Sequence, residues 1–154
     1  MFKTLSLGIL LSMLPLGELR AGIPVLIASK VGILNAFLIG TFANIFIIPF
    51  VYIFLDSVHL ELMKWKVYKY FFNKSIKGIR KKVHKAVQKW GFLGLLIFVA
   101  IPIPGTGAYS AIIGSWILGI DRKKSQMSIV LGVIIAGIIV TLISLGVIHG
   151  FKLI

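Results

Sequence analysis

Apolar residues run along this chain in five stretches, and the length of each decides what it can be. Residues 33–55 are apolar without a charge and, at 1.5 Å per residue, reach about 34 Å as a helix, enough for a hydrocarbon core of about 30 Å. Residues 126–148 form a second stretch of this kind. The other apolar stretches are broken. Residues 5–32 start apolar, are interrupted from Pro15 through Gly17-Glu18-Leu19-Arg20-Ala21-Gly22-Ile23-Pro24, and become apolar again over 25–31. Residues 92–120 repeat the plan, with a first arm (92–101) of about 15 Å, an interruption at Pro102-Ile103-Pro104-Gly105-Thr106-Gly107, and a second arm from Ala108. Residues 60–90 differ in kind. Trp65, Tyr68, Phe72, Ile76, Ile79, Val83, Val87 and Trp90 recur every three or four positions among lysines and arginines. That spacing predicts a basic amphipathic helix, or two with a break near Asn73, lying on a membrane surface or over the spans.

Composition identifies the solvent. Hydrophobic residues make up 58% of the 154 and only four are acidic, while mean hydropathy is +1.04. A single globule of this size lacks the polar surface to stay in water, so lipid must solvate much of the chain. The expected fold is a single all-α integral membrane domain over residues 1–154. The net charge of +13 would suggest nucleic acid in a soluble chain, but its distribution argues against that partner. Ten of the seventeen basic residues lie between Lys64 and Lys89, with three more at Arg122-Lys123-Lys124. Clusters beside apolar spans mark the cytoplasmic side and favour anionic headgroups. With no cysteine, there is no disulfide or thiol chemistry to consider.

Charge also decides how residues 92–120 run. Lys89 and residues 121–124 belong on the same, cytoplasmic side, and 29 residues are too few to cross twice. A re-entrant hairpin with Pro102–Gly107 at its tip satisfies both constraints. Non-helical backbone at membrane depth is tolerated only where protein buries it or water reaches it. Shifting the chain by 87 positions aligns Pro15 with Pro102, Ala21 with Ala108 and Gly32 with Gly119, and each half closes on a span. One span between the hairpins makes them enter from opposite faces. The expected architecture is therefore an inverted repeat of two re-entrant helical hairpins, each followed by a transmembrane helix, joined by the basic connector. Both termini are expected outside a plasma membrane, with residues 60–90 and 121–124 in the cytoplasm. Residues 3–21 also fit a signal peptide with a poor cleavage site, although that leaves the matching second break unexplained.

Glu18 and Arg20 are the two charges embedded in apolar sequence, and a functional role is the default for such groups. In a non-helical tip they can pair, or each can meet a group from the other hairpin, Arg20 as an anion anchor and Glu18 as a proton-coupling switch; the structural alternatives are an ion pair that holds the break, or two charges at an exterior surface. At the second tip, Gly105 and Gly107 let backbone N–H groups face a ligand, Thr106 and Ser110 add hydroxyls, and Tyr109 adds an aromatic ring with a polar end. The structural alternative there is a plain turn and helix cap. Asn44 is expected to bond a neighbouring helix, and Gly132, Gly137 and Gly146 to permit close packing, within one chain or in a homodimer. Three scattered histidines suggest no metal site. No nucleophile–base pair points to an enzyme, and no cofactor is expected.

At Glu18-Leu19-Arg20-Ala21-Gly22-Ile23-Pro24 and Pro102-Ile103-Pro104-Gly105-Thr106-Gly107-Ala108-Tyr109 the chain resembles the Putative small multi-drug export protein family, over about residues 5–148. That family looks like a compact relative of the DedA/VTT membrane proteins. The resemblance implies two re-entrant hairpins and, as in some of those relatives, movement of polyprenyl phosphate or other lipids. It matches Glu18 and Arg20 to the first hairpin motif and Pro104, Gly105, Thr106 and Gly107 to the second. Two positions depart from the pattern: alanine follows Arg20 where glycine is usual, and Tyr109 stands where tryptophan is common. The expected function is a transporter or flippase for an amphipathic anionic substrate such as a polyprenyl phosphate, with membrane lipids as partners. The alternatives are a proton-coupled exporter of lipophilic cations and a non-transporting membrane scaffold.

Overall fold

The computed structural model describes the backbone of residues 2–103 and 105–152 and the side chains of 3–103 and 105–147. These residues form eight helices and no strand: α1 (Phe2–Met13), α2 (Glu18–Ala28), α3 (Ile33–Ser57), α4 (His59–Leu62), α5 (Lys66–Trp90), α6 (Phe92–Ala100), α7 (Ala108–Ile117) and α8 (Arg122–Lys152). The order of two short helices, a break between them and a long helix occurs twice, as α1–α2–α3 and α6–α7–α8.

Among the described residues, two helices are long and apolar enough to cross a membrane, Ile33–Ser57 and Arg122–Val147. Only 33% of the apolar window of the first and 44% of the second is buried. The core helix of a water-soluble protein would hide most of that surface, whereas Phe42, Phe46, Ile53, Leu142 and Ile143 face outward here. Such outward apolar faces suit lipid.

The chain divides into two compact units. One comprises residues 1–46 and 133–154, the other residues 47–132. In the first unit, α1 packs on α2 at glycines. A Cβ on Gly22 would run into Ser12 and approach the Gly8 carbonyl to 2.7 Å, and a Cβ on Gly8 would meet Leu26 at 2.6 Å. This is the close helix contact that small residues permit in lipid. Asn44 of α3 donates its side-chain N–H to the Ser12 carbonyl at 2.9 Å, satisfying one of the carbonyls left open where α1 ends. The expected helix-bridging role of Asn44 is met.

The second unit contains the basic helix. It is continuous through Asn73, so the alternative of two helices is set aside: nothing in residues 66–90 removes a backbone donor. Tyr68, Phe72, Ile76, Ile79, Val83 and Val87 form its less exposed stripe, but Trp65 and Trp90 at the ends are exposed. α5 packs against both α6 and α7. Val83 is fully buried at Gly114, and the Ala86 carbonyl lies where a Cβ of Gly94 would fall. Gly91, at φ +56, makes the turn that sends α6 back along α5. α7 stops at Gly119 (φ +63), where the Ile120 N–H reaches the Ser115 carbonyl at 3.0 Å, a Schellman-type ending. Asp121 then caps α8 by accepting the Lys124 backbone N–H at 2.9 Å. Of the three glycines expected to permit packing on α8, Gly132 faces Val99 and Gly137 faces Phe37, while nothing lies near Gly146.

Candidate functional site

The first break is shorter than its sequence suggests. Pro24 reads as part of the interruption, yet it lies inside α2, so Glu18 and Arg20 sit on a helix instead of in a non-helical tip. A proline there removes the bond to the Arg20 carbonyl and crowds that carbonyl, a cost that membrane helices tolerate. The break itself is residues 14–17, closed by the Glu18 N–H donating to the Leu14 carbonyl at 2.9 Å. Glu18 opens α2 in left-handed backbone, φ +49, with 6% of its surface exposed. Arg20 is half-buried, and the Glu18 carboxylate acts on its guanidinium electrostatically. Neither residue is without an interacting partner. A non-glycine residue held in this conformation with a carboxylate out of water carries two costs at once, a pattern that concentrates at functional sites.

The second break is built on backbone turns. Past α6, the Ile103 N–H reaches the Ile101 carbonyl at 2.8 Å and the Thr106 N–H reaches the Ile103 carbonyl at 3.1 Å. The Thr106 hydroxyl is turned onto the same two carbonyls, 2.9 Å from Ile101 O and 2.7 Å from Ile103 O. It therefore staples the break, leaving its lone pairs as what it can offer a ligand. Gly105 (φ +80) and Gly107 (φ +124) hold conformations that L side chains rarely adopt. Tyr109 and Ser110 lie half-buried in the first turn of α7. Pro104 lies outside the described residues. Glu18 and Arg20 thus belong to the first unit and Gly105, Thr106, Gly107, Tyr109 and Ser110 to the second.

Two features of the second unit were not expected. One is a cation at the second break: a Cβ on Gly105 would lie 3.1 Å from Lys82 Nζ. The turn at Gly91 brings Lys82 there, and no local pattern in residues 102–110 signals it. The other is a polar cluster joining α3, α7 and α8. Asp56 accepts from Arg122 at 2.7 Å and from the Trp116 indole at 2.8 Å. Tyr52 OH bonds Ser115 at 3.0 Å and Ser125 at 2.9 Å, and the Arg122 guanidinium stands 4.9 Å over the Tyr52 ring. Next to it, His59 is 3% exposed, 2.9 Å from Tyr68 OH through Nδ1, and packed on Phe72 and edge-on to Trp116. Burial holds the His59 imidazole below its ordinary value and pushes the Tyr68 phenol above its own. The scarcity of acids was the available signal, since Asp56 is one of only four.

Compared with known proteins, residues 18–139 match the family described as Putative small multi-drug export protein. No match was found among curated proteins or among solved structures.

Proposed function

We propose, since this chain belongs to the small multi-drug export protein family, that it is a multi-pass plasma-membrane transporter for an amphipathic anion such as a polyprenyl phosphate. In this reading α3 and α8 span the bilayer, and the pairs α1–α2 and α6–α7 are re-entrant hairpins entering from opposite faces. The observation that carries it is Glu18 with Arg20, two ionisable side chains at the start of a short helix in apolar sequence, the first buried and conformationally strained. An arginine fork suits phosphate, and Glu18 is the group whose protonation would couple release to the proton gradient. Lys82 beside Gly105 gives the second break a positive charge, which favours an anion there too. The hydrophobic tail stays in lipid, which suits a small protein, and a homodimer would shield the breaks. Catalysis, metals and cofactors have no part in the reading.

A second reading, a proton-coupled exporter of lipophilic cations, is favoured by the burial of Glu18 and by the family's description. Translocation of a labelled short-chain polyprenyl phosphate in proteoliposomes separates the two. The anion reading expects flux in the wild type that Arg20→Ala and Glu18→Gln abolish while the protein stays folded. Absence of that flux, together with cation export that survives Arg20→Ala but not Glu18→Gln, would establish the second reading.

A further inference from the structure

The second unit contains a groove of about 360 Å³ whose lined surface is almost entirely apolar, although three lysines are among the residues that form it. That volume lies within the ~300–1,000 Å³ of small-molecule sites. It is lined by Ile97, Phe98 and Ile101 of α6 with Ile103 of the break and, from α5, by the exposed Lys82, Lys85 and Lys89, whose heads we take as its rim. The sequence spacing explains the rim: positions 82, 85 and 89 fall on one side of a 3.6-residue helix, and the turn at Gly91 lays that side along α6. Gly94 lets the two helices meet, since a Cβ there would collide with the Ala86 carbonyl.

Among the described residues no carboxylate balances these lysines, although Lys89 Nζ stands 5.3 Å over the Trp90 ring. The acids of the same unit are committed elsewhere, Asp56 to Arg122 and Glu61 to Lys64, and Asp121 to the α8 cap. Three ammonium groups therefore overlook an apolar trough in a chain whose helices present apolar faces outward. We propose that this groove binds one anionic phospholipid of the adjoining leaflet, with the phosphate on the Lys82, Lys85 and Lys89 ammonium groups and an acyl chain against Ile97, Phe98 and Ile101. Lysine stems reach along apolar surface while their heads stay at the polar edge, which is the geometry an amphiphile of opposite charge completes. The site shares Lys82 with the second break of the transport reading and rests on that reading's placing of α6 in the bilayer, but it concerns a resident lipid and not a moved one.

The test is lipid retention by native mass spectrometry of the detergent-purified chain, offered equal amounts of dioleoyl phosphatidylglycerol and dioleoyl phosphatidylcholine. The wild type should keep one phosphatidylglycerol in clear preference. Each lysine near an anionic headgroup is worth about fivefold in affinity, so K82Q/K85Q/K89Q should reduce the preference on the order of a hundredfold. K69Q/K77Q/K81Q, which carries the same charge loss away from the groove, should keep it, as should the charge-preserving K82R/K85R/K89R. Ile101→Trp, which fills the trough, should lower retention with all three lysines present. Equal loss in both glutamine triples, or an unchanged preference in the groove triple, would overturn the site. Displacement by excess inorganic phosphate would also overturn it, replacing the lipid with a simple anion. All of these are binding readouts, so they stand or fall separately from translocation.

Discussion

Glu18 concentrates the physical argument in one residue. An L-residue at φ +49 pays roughly 1–2 kcal/mol for the crowding of its Cβ, and here that residue also carries a buried carboxylate. Comparing two substitutions isolates the backbone part. Glu18→Ala and Glu18→Gly both remove the carboxylate and its partners, but only glycine adopts this conformation freely. The glycine variant should therefore be the more stable by about 1–2 kcal/mol, read as a higher thermal midpoint in detergent. Equal midpoints would show that the strain is not there. The presence of a charge pair in apolar sequence was legible from Glu18 and Arg20 alone. Its setting was not, because Pro24 signals a helix stop in water and membrane helices tolerate it. Lys82 was hidden for another reason: among ten basic residues between 64 and 89, nothing local marks the one that meets Gly105.

At the scale of elements, α5 was the most readable and also the most misleading. Its stripe from Tyr68 to Val87 follows from periodicity, but the partner of that stripe depends on Gly91, Gly94 and Gly114, whose role is visible only once the helices are packed. The same docking buries His59 at the start of the connector, against Tyr68, Phe72 and Trp116. The fold disfavours the imidazolium, so the folded value lies below the ordinary 6.5. The unfolded chain then binds the proton more readily as pH falls. The stabilisation is complete above about pH 6.5 and is lost progressively as pH drops through the lowered value. The thermal midpoint of the wild type should fall over that window, and His59→Gln should flatten the fall. A slope unchanged in the variant would assign the acid sensitivity to another group.

For the whole molecule, the decisive quantity is which side each connection faces. Basic residues crowd into 64–89 and 122–124, whereas the connection between α2 and α3 carries only Lys30. A cation held on the trans side against the membrane potential is disfavoured, and the positive-inside bias follows. Under the proposed reading, the repeated order of broken pair and long helix, α1–α2–α3 and α6–α7–α8, threads in one way: the first pair would return to the outside, α3 cross inward, the second pair return to the inside, and α8 cross out. The absence of cysteine makes this directly measurable, since any introduced thiol is the only one. Gly32 and Gly78 are suitable hosts, each exposed, with at most a distant side chain near a new Cβ. A membrane-impermeant maleimide applied to intact cells should label Gly32→Cys, and should label Gly78→Cys only after the membrane is opened. The reverse pattern would invert the topology while keeping two opposed hairpins. Labelling of both from outside would place α1–α2 and the basic helix on one face, leaving α3 no membrane to cross, and the paired-hairpin reading of the breaks would fail with it.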